Sequence, residues 1–193
     1  HPLRNFLFQE DPPKPSDVIF VLAGRPERKV YGLQLFHQGI APRLILSVGR
    51  FEVRKMDHLG FQHLNLRELT SRLPPGERHF FIDIAGDSQR VIVRSDAGKG
   101  TEAELMSLSR YLEPDRVSSL LLVSTSVHLG RVRHYCERTA LLSNKRISYV
   151  PVPEDLSSFK KAGWWKHRDH WSYVLSECAK LGISLLRRPK ATR

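Results

Sequence analysis

A histidine and an arginine, His128 and Arg131, stand three residues apart, directly after a run of hydroxyl residues, Ser124, Thr125 and Ser126. An imidazole exchanges a proton near neutral pH, and a guanidinium offers an anion a fixed fork of donors. Small hydroxyl side chains cap a helix, whose first N–H groups and positive dipole end then face an adjoining loop. Together these residue types describe a place where a negatively charged group is held and a proton is moved to or from it. A plainer use is equally open on spacing alone, in which His128 completes a cap and Arg131 is a solvated helix charge.

The elements that would position these groups are readable on either side. Leu120 to Val123 is a short aliphatic run, the pattern of a fully buried strand. Val132, Tyr135, Cys136, Thr139 and Ala140 then recur at helical spacing, so the hydroxyl run falls where a strand hands over to a helix. In open parallel sheets that carboxyl edge is where ligands bind.

Two other strands end in the same way. Asp17 to Ala23 is apolar and gives way to Gly24, Arg25, Pro26, Glu27 and Arg28, while Arg43 to Ser47 is followed by Val48, Gly49 and Arg50. A glycine at a strand end allows close backbone approach, and the arginines beside it supply charge, so both ends are candidate phosphate-receiving turns. Val30, Leu33, Leu35 and Phe36 outline a helix between them that ends near Gly39. Phe80 to Ile84 reads as a third strand, Arg90 to Val93 as a short fourth and Arg146 to Val152 as a last one. Strands alternating with helices over this length predict an α/β sandwich with a mainly parallel sheet.

Thr101 and Glu104 have the spacing of a capping box, which accounts for both residues structurally. Gly98, Lys99, Gly100 and Thr101 are not a P-loop, because a glycine follows the lysine and the first glycine of that motif is absent. Residues 51–78 are polar, basic and broken by Pro74-Pro75-Gly76, and read as a lid-like helical excursion. Trp164, Trp165 and Trp171 are expected to pack the last helix on the sheet. His167 and His170 lack a third protein ligand for zinc. Asp17, Glu27, Asp96 and Glu104 could converge, but no spacing requires it, so no metal site and no cofactor is assigned.

The 193 residues fit one domain with a sizeable core. A formal charge of +11 and a pI near 10.1 suggest an anionic partner. The basic residues read as spread through the chain rather than gathered in one arm, and no helix-turn-helix, RRM or zinc-finger pattern occurs, which argues against nucleic acid. Cys136 and Cys178 are far apart, form no CxxC, and are expected to be buried thiols. No apolar run is long enough to span a bilayer.

The segment Val123 to Arg131 resembles the V-[T/S]-[S/T]-x-x-H-x-x-R block of the DUF218 family of YdcF-, SanA- and ElyC-like bacterial proteins. Earlier family blocks are matched by Asp17, Gly24, Arg28, Leu35, Gly39, Ala41, Pro42, Ser47 and Gly49, and later ones by Thr101, Glu104, Glu177 and Lys180. Val48 stands where most relatives have a glycine, and Gly100 where they have asparagine. The resemblance implies a three-layer Rossmann-like fold, with residues 17–193 as a single domain and residues 1–16 as an extended lead-in following a membrane anchor. It also implies a place at the cell envelope, with a cytoplasmic location as the alternative.

These readings converge on a cleft that binds a phosphorylated or nucleotide-like anion, including a lipid-linked phosphate of cell-wall precursor metabolism. Gly24, Ser47 and Gly49 would give backbone access, Arg25, Arg28, Arg50 and Arg131 charge, and Thr101, Thr125 and Ser126 hydroxyl groups. His128 would work as acid, base or hydrogen-bonding group, with Glu104 orienting it or a water in a hydrolysis or transfer at phosphorus. An anionic membrane surface is a further partner of such a basic chain. The alternative is a non-catalytic sensor or scaffold domain whose site holds a ligand such as S-adenosylmethionine.

Overall fold

The computed structural model describes residues 10–94, 100–138, 142–160, 164–166 and 168–186, without the side chains of residues 169, 185 and 186. The expected Lys99, Asp96 and His167 lie outside the described residues, as do Thr139 and Ala140.

Six strands form one sheet in the order β4-β3-β2-β1-β5-β6. They are β1 (Val18–Val21), β2 (Arg43–Val48), β3 (Phe80–Ala85), β4 (Ser88–Val93), β5 (Ser119–Ser124) and β6 (Arg146–Pro151). β1 pairs in parallel with β2 and β5, and β5 with β6, whereas β3 runs antiparallel to both β2 and β4. The architecture is therefore α/β with a mostly parallel mixed sheet between helical layers, consistent with a Rossmann-like three-layer sandwich.

β1 is apolar throughout because both of its faces are covered. Ile19 and Val21 join one core with Leu44, Leu46, Ile82 and Leu35, while Val18 and Phe20 join a second with Leu105, Leu108, Leu129 and Val132. On the first face lie α1 (Pro26–His37), α2 (Val53–Met56) and α3 (Leu66–Arg72). On the second lie α4 (Thr101–Leu112) and α5 (Ser126–Arg138). A last helix, α6 (Arg168–Leu186), packs on α5 through Val127, Phe159, Val174 and Leu181.

The excursion over residues 51–78 consists of α2, α3 and short 3-10 turns. It returns the chain to the end of the sheet it left, so β3 has to run back against β2 and pairs with β4 as a hairpin. Gly86, at φ 56°, takes the left-handed position that its two-residue turn requires. Residues 10–16 form no regular element, and Asp11 ties them to β6 through both its backbone and its carboxylate at Tyr149.

The tryptophans do not seat α6 on the sheet as expected. Trp164 touches the small core under α6, but Trp165 and Trp171 are exposed, because that helix packs on α5 and not on a strand. Both cysteines are free thiols, Cys136 buried and Cys178 half-buried. Among the described residues no helix is long and apolar enough to cross a membrane.

The approach of α1 to the sheet depends on Gly32, where an added Cβ would lie 2.2 Å from Cγ2 of Val21. Overpacking of this kind costs about 1–3 kcal/mol. Gly32→Ala should lower the urea midpoint correspondingly, with an unchanged slope.

Candidate functional site

The chain leaves β1 for β2 through α1 on one face and leaves β5 for β6 through α5 on the other. The carboxyl ends of β1 and β5 are thus a point where the winding reverses, the place where open α/β sheets leave a crevice. Here it is a cavity of about 700 Å³. Ala23 and Gly24 reach it from β1, Gly49 to Glu52 from β2, Gly100, Thr101 and Glu104 from the start of α4, and His128 and Arg131 from α5. Tyr173, Glu177 and Lys180 of α6 form another wall.

Arg28 is the residue around which the crevice is built. It is only 4% exposed. One of its amino groups donates to Ala23 O, and the other to Thr125 Oγ1 at 2.9 Å and Tyr173 OH at 3.4 Å. None of these partners carries a charge, and Arg28 makes no ion pair with a described carboxylate. Its buried Nε has no hydrogen-bond partner. Gly24, at φ 131°, makes room for this guanidinium, which would sit 2.9 Å from a Cβ placed there.

Its neighbour Lys29 is 1% exposed and solves the same problem differently. Its Nζ pairs with the Glu52 carboxylate and donates to Leu22 O, and the second oxygen of Glu52 accepts the Gly49 N–H at 2.9 Å. Burial nevertheless draws the lysine below its ordinary pKa, against the pull of Glu52.

His128 is buried and engaged at both ring nitrogens. Nδ1 hydrogen-bonds Ser124 Oγ at 2.7 Å and Nε2 hydrogen-bonds Thr101 Oγ1 at 3.0 Å. Burial, and then the charges of Arg28, Arg131 and Lys180, hold its pKa well below the usual histidine value. The ring is therefore neutral, with one hydroxyl donating to it and the other accepting from it. Thr101 Oγ1 in turn accepts from Arg131 Nη1 at 2.8 Å, while Arg131 Nε donates to Glu177 at 2.9 Å, so the guanidinium plane is fixed from two sides.

The capping-box reading of Thr101 and Glu104 does not hold. Gly100 occupies the cap position and Thr101 is the first residue of α4. The hydroxyl turns to His128 and Arg131, and Glu104 Oε1 accepts the Ala23 N–H at 2.7 Å, clamping the β1 end to α4. Either arrangement puts a hydroxyl and a carboxylate three residues apart on a first helical turn, so the sequence pattern is the same for both.

Of the residues singled out by sequence, Gly24, Arg28, Gly49, Arg50, Thr101, Glu104, His128 and Arg131 line the cavity together. Thr125 stands behind Arg28. Arg25 turns away towards Glu27, Ser158 and the Tyr173 ring. Ser126 opens α5 as a buried residue outside the cavity lining, and Ser47 is fully buried in β2 without a hydrogen bond to its Oγ. Asp17 is at the opposite end of the sheet, where the side chain and backbone of Ser118 lower its pKa to about 2, so it does not converge with Glu104. No cluster able to hold a metal ion occurs among the described residues.

Glu52, His79 and Arg94 line the cavity without having been picked out. Sequence reasoning looks for site residues after strands, but β3 runs backwards, so the residue before it and the residue after β4 arrive at the same edge. His79 forms no hydrogen bond between its ring and a described residue. Burial, and then Arg94, hold its pKa below the ordinary value, with Glu104 opposing. The Gly86-Asp87 hairpin signal shows that β3 and β4 run opposite to each other, though not which of them runs against β2.

Comparison with known proteins identifies no relative: no family model, no curated protein and no solved structure matches the chain.

A histidine whose folded pKa is depressed binds fewer protons in the native than in the unfolded state. Its stabilising contribution is therefore intact above the unfolded pKa of about 6.5 and is lost as pH falls below it. For His128 the slope is at most about 1.4 kcal/mol per pH unit. Wild-type melting temperature should fall from pH 7.5 to pH 5, and His128→Gln should show a shallower decline, the remainder belonging to His79 and His134, which are shifted the same way.

Proposed function

We propose that the cavity binds a phosphorylated ligand, and that the chain is a DUF218-like domain whose reaction, hydrolysis or transfer at phosphorus, takes place there. The observation that carries this reading is the buried, carboxylate-free guanidinium of Arg28 in the cavity wall. A buried cation facing only neutral acceptors retains much of its desolvation cost, and an anion in the adjoining space offsets it. The lining as a whole has the same sign, with six Arg and Lys side chains, Arg28 included, against three carboxylates among the described residues. That surplus favours a phosphate over a sulfonium cation such as S-adenosylmethionine. The family blocks support the same reading, because Gly24, Arg28, Gly49, Thr101, Glu104, His128, Arg131, Glu177 and Lys180 all border this one space.

In this reading the residues have separate tasks. Arg28 and Arg131 hold phosphoryl oxygens and stabilise the charge that develops on them during transfer. His128 is a positioning residue that sets Thr101 and, through it, Arg131. His79, held below its ordinary pKa by burial and with no hydrogen bond from its ring to a described residue, is the group that accepts or delivers the proton. Glu104 holds the β1 end in place. Phe51, 77% exposed at the rim with the Arg50 guanidinium 4.2 Å from its ring centre, meets the part of the ligand that carries no phosphate.

Thermal-shift titration with inorganic phosphate, phosphate monoesters, nucleotides, polyprenyl phosphate and S-adenosylmethionine tests the reading, with and without divalent metal. A phosphorylated compound at a hundredfold excess over its dissociation constant should stabilise the protein by about 2.7 kcal/mol. Arg131→Ala should weaken that ligand about 10- to 150-fold, as expected for losing a charge-assisted hydrogen bond of about 1.5–3 kcal/mol. Stabilisation by S-adenosylmethionine alone, or an equal response in the variant, would contradict the proposal.

A further inference from the structure

α6 has two unlike faces. Tyr173, Glu177 and Lys180 look into the cavity, and Val174 and Leu181 pack on the core beneath. Facing away from both, Trp171, Leu175 and Ile183 are 49%, 50% and 51% exposed, and Trp165 on the preceding 3-10 turn is 60% exposed. Among the described residues, four of the five exposed large apolar side chains thus lie in one short stretch. All three tryptophans of the sequence are in residues 164–171.

The sequence of this stretch is basic as well. Residues 160–193 hold nine Lys and Arg against two acidic residues, which is most of the chain's surplus of +11, so the basic character is not evenly spread. Lys166 and Arg168 are exposed beside the tryptophans. Glu177, one of the two acids, is buried and occupied by Arg131 and Lys180.

We infer that the outer face of α6 with the Trp164–Lys166 turn docks on an anionic lipid bilayer. Tryptophan is favoured at the level of lipid headgroups because its ring is apolar and its N–H polar. Leu175 and Ile183 add aliphatic surface that suits acyl chains and offers nucleobases nothing to stack on. Lys and Arg are each attracted to the negative surface potential of such a leaflet. A second copy of this chain is disfavoured as the occupant, since two like-charged surfaces would repel each other on approach. The docking stands on this face alone. Its consequence, that a wall of the phosphate cavity is held at the bilayer and a lipid-linked phosphate is within reach, rests on the function proposed above.

Flotation of the whole chain with vesicles of phosphatidylcholine, alone or with one third phosphatidylglycerol, tests the inference. Binding should require the anionic lipid, and tryptophan emission should shift to the blue and be quenched by brominated acyl chains. The double variant Trp165→Ser/Trp171→Ser alters exposed positions and should keep the wild-type circular dichroism while abolishing the blue shift. The pair Lys166→Glu/Arg168→Glu should weaken binding about tenfold or more. Arg131→Ala should bind vesicles as wild type does, which separates failure of the docking from failure of the cavity reading. Three results would overturn the inference: no binding to anionic vesicles, binding equal in both surface variants, or a tryptophan-dependent dimer or oligonucleotide complex in place of vesicle binding.

Discussion

A charged side chain taken out of water must be repaid by its surroundings, and at the centre of this fold two neighbouring residues meet that demand in opposite ways. Lys29 has the Glu52 carboxylate and so ties α1 to the loop after β2. Arg28 has a carbonyl and two hydroxyl groups, which orient it without cancelling its charge. Breaking a buried pair by removing one partner typically costs about 3–5 kcal/mol, so losing either Lys29 or Glu52 would leave an unpaired buried charge at that loop. Arg28 leaves a positive potential at the end of β1 that the described protein does not neutralise. That guanidinium adds to the surplus of cations lining the crevice and, after burial, helps to keep His128 neutral.

The winding of the chain explains why so many groups meet there. Reversal between β1 and β5 brings the Gly24 turn and the Ser124–His128 segment side by side, as the backbone bond from Leu22 N–H to Val123 O records. α4 reaches the same point through Glu104, and α6 closes it with Tyr173 and Glu177. Hydrogen bonds then run from Ser124 through His128, Thr101 and Arg131 to Glu177, crossing four elements. A neutral imidazole suits the middle of that chain, since it donates at one nitrogen and accepts at the other.

Much of this is legible in the sequence, for physical reasons that can be named. A strand buried on both faces must be apolar throughout, so β1, β2 and β5 are visible as runs, and the glycines after the first two mark the ends where a ligand approaches. Arg28 and Arg131 are visible because they follow such ends. Direction is harder to read: nothing in the apolar run Phe80 to Ile84 says which way it points, so His79 and Arg94 stay hidden until β3 is seen to run against β2. Lys29 is hidden because a lysine on a helix reads as a solvated charge unless its buried partner is known. The tryptophans mislead, since an aromatic residue in a helix usually marks a packed face, whereas Trp165 and Trp171 stay outside because α6 rests on a helix through smaller side chains.

The most direct measurement is a crystal structure with tungstate, a heavy tetrahedral stand-in for phosphate, located by its anomalous scattering. The expected result is an ordered site inside the cavity, within hydrogen-bonding distance of Arg28 and Arg131, that is lost in Arg28→Met. Tungstate bound only to surface lysines and arginines, with the cavity empty at saturating concentration, would contradict the reading of Arg28 as half of an ion pair completed by a ligand.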